Sequence, residues 1–466
     1  MAIAIGRFVK GEKMLEFEEK KDFIIDKIST NTFNMEISEE FLNALNRFTS
    51  KHTIEDTKKF LDFCGDIDES IKIVHVAGTN GKGSVCSFVA NILKDAGINV
   101  FMFSSPHILK INERFKYNLK DISDEDFLEM FKTVFYKVLD YEKKYDENYF
   151  PSYFEYLFFM AIEYIKELKV DAIVMETGLG GRLDSTNVLR NKNVCAITSI
   201  GLDHMKYLGD TRSKIAWEKA GIIQDGVPIV FFDKDKDVTD VIENCAREKK
   251  SKIIRIDKDQ ISNVKINDED NQIDFCYKSE YYNYVDLALK TRALYQIQNA
   301  AAAVSIAEEL MLGGMNISRE SIYRGLKNTF WTCRMEEVET GFFIDGAHNI
   351  DGIDAFLESV KSIRCKGKRI LIFGVVDDKQ YDDMAKRLIN TNLFDYIFVT
   401  TLETQRSVDI DTLKNIFKTD NSDINISFYR SAHQSFDAAK KMKTEEDLIF
   451  CAGSLYLAGQ IVGEFV

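Results

Sequence analysis

The sequence predicts an α/β protein of two open, mostly parallel sheets, the first entered by a phosphate-binding P-loop and the second smaller and Rossmann-like. Three observations predict it. Short apolar runs rich in β-branched residues alternate with helical stretches, as buried parallel strands and their crossovers do. The alternation lapses over residues 250–290 and restarts at "FFIDGAHN", residues 342–349. Each predicted strand ends in a polar, usually glycine-bearing loop, and open α/β sheets bind ligands beyond those ends.

Residues 35–65 place apolar side chains at helical spacing in "SEEFLNALNRF" and "IEDTKKFLDFC". "IKIVHVAG" reads as a buried parallel strand, "SVCSFVANILKDAG" as a helix ending at Gly97, "INVFMFSS" as the next strand and "PHILKINERF" as a loop. Residues 123–168 carry two helices, interrupted near "DENYFPS". "DAIVMETGLGG" and "VCAITSIGLDH" are further buried strands, "TRSKIAWEKAG" a helix and "VPIVFF" a strand. Residues 250–290 alternate and turn like an antiparallel patch. "RALYQIQNAAAAVSIAEELML" is a long helix ended by Gly313 and Gly314. Five more strand signals then alternate with helices. The expected division is 1–331 and 332–466.

Bulk numbers exclude several classes. A chain of 466 residues is too long for one ordinary domain, and 45% apolar residues suffice for sizeable cores. No segment approaches the roughly 18 consecutive apolar residues of a membrane helix. The N-terminus lacks the apolar core of a secretion signal. Eight scattered cysteines without a C-x-x-C pair read as reduced thiols of a cytoplasmic protein. A net charge of −14 argues against broad nucleic-acid binding, while leaving room for a local basic pocket.

The stretch "IVHVAGTNGKGSV", residues 73–85, departs from the pattern G-x-x-x-x-G-K-[ST]. Val76 stands where the first glycine should, and Gly83 separates Lys82 from Ser84. The mechanics nevertheless hold. A phosphate cradle needs converging backbone amides, a lysine, a hydroxyl and a helix N-terminus. Gly78, Thr79, Asn80, Gly81 and Gly83 supply the turn, Lys82 the charge and Ser84 the hydroxyl. A bland glycine-rich turn would not need a strand before it and a helix after. Two candidates for magnesium sit at neighbouring strand ends, Glu176 and His204. Lys219, read alone, would merely complement a helix dipole.

The motifs "HVAGTNGKGSV", "SSPH", "METGLGGRLDSTN", "GLDHMKYLG", "WEKAGI", "QIQNAAAA", "CRME", "DGAHN" and "AGSLYLAG" occur in the order seen in folylpolyglutamate and dihydrofolate synthases. From about residue 35 onward the chain therefore resembles these members of the Mur ligase superfamily, ATP-dependent acid–amino-acid ligases. The resemblance implies glutamate addition to folates, to dihydropteroate, or to both, through an acyl phosphate with release of ADP and phosphate. It implies two magnesium ions, one of them held by Glu176 and His204 with help from Ser84 and Ser105. It also implies that Lys219 is carbamylated and positions the second ion, which requires a neutral amine. Asn299 matches an adenine contact, Arg334 an arginine reaching the phosphates, and Asp345 and His348 contacts to ribose and phosphate. Arg182 and Asp184 are candidate pterin contacts; Ser454 and Tyr456 are candidates for the incoming glutamate, although Ser454 would equally cap a helix. The family usually has Pro-Gly before the arginine, where this chain has Thr332 and Cys333. Its first 30 or so residues exceed the family's usual start and carry no assigned role. Small-molecule substrates, no nucleic acid, no membrane and a monomer complete the expectation.

Two rivals compete. A ligase of cell-wall precursors generally carries a further N-terminal domain, and only 77 residues precede Gly78 here. A non-catalytic P-loop binding module would not need Glu176, His204 and Lys219 together.

Overall fold

A computed structural model describes residues 9–10, 13–14, 17–45, 53–146, 149–267, 270–377, 379–418 and 424–465. Its first sheet has eight strands in the order Ile253–Arg255, Ile229–Phe231, Val194–Ile197, Lys72–Ala77, Ala172–Glu176, Val100–Phe103, Phe115–Tyr117 and Lys120–Asp121. The first six are parallel. The last two form an antiparallel ribbon at the edge. Strands such as "VCAI" and "AIVME" are buried along their whole length, because helices cover both faces of a parallel sheet. Register sets the site. Val76 lies opposite both Glu176 and Ala196, so three adjacent strands end together at Gly78, Glu176 and Thr198.

Helix Lys82–Asp95 follows the loop strand and packs with helices Gln296–Leu312 and Arg319–Asn328 on one face of the sheet. Ala300, Ala301, Ala302 and Ala303 are all buried, so Gln296–Leu312 is enclosed rather than amphipathic. A three-stranded antiparallel sheet, Ile261–Asn267, Gln272–Lys278 and Asn283–Leu289, caps that helix with Ile273, Phe275, Tyr277 and Leu287. The opposite face carries helices Met35–Ala44, Ile54–Cys64, Asp124–Lys144 and Tyr153–Glu167, whose shared core is strongly aromatic. Phe60 and Phe159 meet edge to face there at 4.6 Å. The N-terminal segment contributes helix Phe17–Ser29, tied to this layer by Lys21 Nζ at 2.7 Å from Glu142.

The second sheet has the order Glu336–Glu339, Phe342–Ile344, Leu448–Ala452, Arg369–Phe373, Tyr396–Thr400 and Asn425–Tyr429, parallel except for its first strand. The chain passes from one sheet to the other between helix Arg319–Asn328 and strand Glu336–Glu339.

Two expectations need correction. "PHILKINERF" is not merely a loop: Ile111–Arg114 makes a short 3-10 turn and Phe115 begins an edge strand. Residues 253–255, assigned to the antiparallel patch, instead extend the parallel sheet beside Ile229–Phe231. Runs of three residues are too short for periodicity to decide, and pairing in the fold decides instead. Among the described residues no helix is long and apolar enough to cross a membrane.

Candidate active site

Strand Lys72–Ala77 delivers the loop to the carboxyl edge of the sheet. Gly78 has φ 150 and Gly81 φ 93. A Cβ at Gly78 would collide with Thr198 Oγ1, and one at Gly81 would lie 2.5 Å from Asn299 Oδ1, so no other residue fits either place. Gly81 caps helix Lys82–Asp95, whose positive end faces whatever the loop binds. Thr79 and Asn80 brace the loop: Gly201 N donates to Thr79 Oγ1 at 3.1 Å, and Asn80 exchanges amide hydrogen bonds with Asn349 at 3.0 Å. Ser84 is buried, its Oγ accepting from Gln296 Nε2 at 3.0 Å.

Lys82 Nζ lies 3.7 Å from Glu176 Oε1, and Ser105 N donates to Glu176 Oε2 at 3.1 Å. Burial pushes the Glu176 carboxyl above its ordinary value, against the pull of Lys82, the Ser105 N–H and Arg334. A buried carboxylate that shares a lysine is oxygen-rich yet undersupplied with cations. Among the described residues no three His, Cys, Asp or Glu side chains cluster as a metal cage. That donor set suits magnesium, which binds through one or two carboxylates and draws its remaining ligands from phosphates and water.

Lys219 ends helix Arg212–Ala220, and its Nζ donates to Gly78 O at 2.7 Å. It is 4% exposed. Burial, joined by the charge of Lys82, lowers its pKa to about 7, with Asp203 and Asp184 opposing. Much of it is therefore a neutral amine near pH 7, the nucleophilic state that attacks carbon dioxide. The dipole-complement reading fails for a physical reason: this side chain turns into the loop rather than out to solvent.

His204 adopts φ 50 at the start of the short helix Met205–Leu208. Its neighbour Asp203 accepts from His204 N at 2.8 Å, from Lys379 Nζ at 2.7 Å and from Asn349 Nδ2 at 3.2 Å, with His348 Nε2 at 3.6 Å. Burial alone would raise the Asp203 carboxyl, but His348, Lys379 and His204 outweigh it and hold it well below the usual carboxylate range. Lys82, Glu176 and Lys219 thus touch the loop or each other directly, while His204 bonds Asp203, which reaches the loop residue Asn80 by way of Asn349. Asp203, Asn349 and Lys379 escaped the sequence reading. Asp203 and Asn349 had an available signal, their places beside His204 in "GLDH" and beside His348 in "DGAHN".

Across the cleft, Arg334 stands between Cys333 at φ 58 and Met335 at φ 48. Asp345 is buried and accepts from Tyr295 Oη at 2.5 Å, Ala347 N at 2.8 Å and Met335 N at 3.0 Å. Burial raises its pKa while the Arg334 charge lowers it. A cleft of about 180 Å3 opens between the sheets, lined among others by Ser84, Phe88, Gln296, Trp331, Arg334 and Met335. Asn299, expected at the base, lies against Gly81 and donates Nδ2 to Gln296 Oε1 at 2.8 Å. Gln296, one turn earlier, and Trp331 face the cleft, and neither was picked from sequence.

The remaining candidates have internal duties. The Arg182 guanidinium stacks 3.6 Å from the Trp217 ring and donates to Trp217 O at 3.0 Å. Asp184 is buried and accepts from Leu179 N at 2.7 Å and Thr186 N at 3.0 Å. Asp184 shapes the loop 178–187 from within, while Arg182 ties it to helix Arg212–Ala220. Ser454 caps helix Leu455–Val462 by accepting from Tyr456 N at 3.1 Å, the bland reading. Tyr456 lies 5.8 Å beneath the Arg406 guanidinium.

Two family models match the chain: "Mur ligase middle domain" over residues 76–307 and "Mur ligase, glutamate ligase domain" over residues 333–455. The chain is 36% identical over 349 residues to the dihydrofolate synthase/folylpolyglutamate synthase of Bacillus subtilis, covering 73% of this chain and 80% of that one. The structure is similar to a folylpolyglutamate synthase from Thermotoga maritima, with TM-score 0.75 and 31% identity over 92% of this chain and 95% of the other. It is similar also to E. coli FolC solved in complex with DHPP and ADP, with TM-score 0.79 and 25% identity over 91% and 95%.

Proposed function

The chain belongs to the dihydrofolate synthase/folylpolyglutamate synthase family of Mur ligases, and on that premise we propose how its cleft carries out ATP-dependent ligation of L-glutamate to folates. The observation that carries the reading is the convergence of Lys82, Glu176 and Lys219 on Gly78–Ser84. The triphosphate of ATP lies on the loop, with the helix N-terminus and Lys82 neutralising its oxygens. The nucleoside end enters the cleft beside Gln296 and Trp331, and Arg334 reaches the phosphates from the linker. Asp345 and His348 approach from the second sheet, and Tyr456 and Ser454 lie farther along that sheet's edge, where the amino acid docks.

The acceptor carboxylate attacks the γ-phosphoryl group, ADP leaves, and an acyl phosphate remains. The glutamate amine then attacks the carbonyl carbon, phosphate departs, and the amide forms. Magnesium, bound through Glu176, Ser84, Ser105 and His204, would neutralise charge on the phosphoryl oxygens. Lys219 as its carbamate would replace an ammonium beside Lys82 with a carboxylate and help hold the second magnesium near the γ-phosphate. Closure of the second domain excludes water from the acyl phosphate. We take residues 1–331 and 332–466 as the two moving units and the protein as a cytoplasmic monomer.

Purified protein assayed for ADP release with dihydropteroate and, separately, with tetrahydrofolate tests the reading and tells one activity from two. Glutamate-dependent release with at least one acceptor is expected. Release with neither sinks the ligase reading in favour of a nucleotide-binding module, and release with UDP-linked muramyl substrates alone transfers the chain to cell-wall chemistry.

A further inference from the structure

We propose that Asp203 is the latch of domain closure and, through the same carboxylate, the positioning residue for His204. The proposal rests on the reading of the interdomain cleft as the nucleotide site. Its basis is one side chain with partners from both domains. Oδ1 accepts from His204 N at 2.8 Å and from Lys379 Nζ at 2.7 Å; Oδ2 accepts from Asn349 Nδ2 at 3.2 Å and faces His348 Nε2 at 3.6 Å. The three second-domain partners come from two loops. His348 and Asn349 precede helix Ile350–Ser362, and Lys379 follows strand Arg369–Phe373.

Burial makes this contact differ from its neighbours. The Lys379 and Asp203 side chains are 9% and 8% exposed, whereas the nearby interdomain pair Arg212–Asp351 is 30% and 26% exposed. The Asn80–Asn349 bridge is neutral. A buried pair resists loss of one partner, because the survivor is left as an uncompensated charge. Without the second domain Asp203 keeps the His204 N–H but loses Lys379, Asn349 and His348. The same Oδ1 also lies 3.9 Å from Nε2 of the His204 ring, whose backbone sits at φ 50. The oxygen that senses Lys379 is thus the oxygen that sets His204. Seating the second domain and aiming the imidazole are one event, so the site assembles only when closed.

The test uses Asp203→Asn, Lys379→Met and the double variant in the full chain. For each, kcat and KM for ATP are measured, with small-angle scattering in the presence and absence of a non-hydrolysable ATP analogue and magnesium. Asp203→Asn preserves shape and an acceptor. Each single variant is expected to lower kcat between about 10- and 100-fold, with unfolding midpoints close to wild type. The double variant should fall within about twofold of the worse single. Nucleotide should contract the wild type and fail to contract the variants. Single effects that multiply in the double variant, kcat preserved within about twofold, or variants that contract like wild type each overturn the latch. If Asp203→Asn does not fold, Lys379→Met on the other domain carries the same tests, with Asp203→Glu expected to restore part of the closure. A wild type inactive with every acceptor would defeat the ligase reading, while the scattering comparison would still decide the latch.

Discussion

On the loop rim of the cleft the chain turns on glycine, Gly78 at φ 150 and Gly81 at φ 93, whereas on the linker rim it turns on Cys333 at φ 58 and Met335 at φ 48. The two rims face one nucleotide site but hold their shapes differently. The loop rim needs no compensation for backbone strain, and the walls that press on it, Thr198 and Asn299, leave no space for a side chain. The linker rim places side chains in a region that costs about 1–2 kcal/mol per residue. Carboxylates hold it there: Asp345 accepts the Met335 N–H at 3.0 Å and Glu336 the Cys333 N–H at 2.8 Å. Pro-Gly, usual in the family, would adopt such a turn without that support. The loop rim is consequently set before ligand arrives, while the aim of Arg334 depends on hydrogen bonds that mutation can remove.

If the loop rim holds the chemistry, Lys219→Ala should have the largest effect, a loss of about 10²–10³ in kcat or more with the fold intact. Full activity in that variant would break the comparison. The Lys219 amine titrates at about 7 when folded, far below the roughly 10.4 of an unfolded lysine. Between those values the unfolded chain binds the extra proton, so stability rises with pH across that window, and Lys219→Met should flatten the rise. Activation by bicarbonate, which needs the neutral amine, should fade as pH drops below about 7.

Gly78→Ala comes next, because a methyl driven against Thr198 shifts the phosphate cradle. We expect about 100-fold lower kcat/KM for ATP, from steady-state kinetics. Asp345→Asn sharpens the contrast on the linker rim. The amide cannot accept from Tyr295, Met335 and Ala347 as the carboxylate does, so chemical denaturation should report a loss of about 1–3 kcal/mol. KM for ATP should rise while kcat holds. Cys333→Gly should have the smallest effect. Relief of the left-handed strain opposes the lost thiol burial and the entropy of an unfolded glycine, leaving stability within about 1 kcal/mol of wild type. A loss well beyond that in the same denaturation experiment would mean that the linker is not strained, and the contrast between the rims would fail.

Much of the first domain was legible because its strands are buried on both faces and read as apolar runs such as "VCAI". The antiparallel sheet at 261–289 and the five parallel strands of the second sheet were legible for the same kind of reason, period and composition. Helix Phe17–Ser29 and strand Ile253–Arg255 were not: one lies in a charged segment without a clear stripe, the other is three residues long. The positions of Lys82, Ser84 and Glu176 at or just beyond the ends of buried strands were readable. That Gln296, one turn before Asn299, lines the cleft was not readable, since an alanine-rich helix enclosed all round gives no phase.

By itself the sequence determined which loops carry chemistry, because strand, glycine turn and helix form within a few residues of one another and their physics is local. Tertiary structure alone decided that Lys219 points into Gly78 O with a lowered pKa and that Asp203 meets Lys379 across the cleft. Burial and charge pairing join residues more than a hundred positions apart. No spacing along the chain encodes which of them will share a low-dielectric pocket until the sheets are stacked and closed.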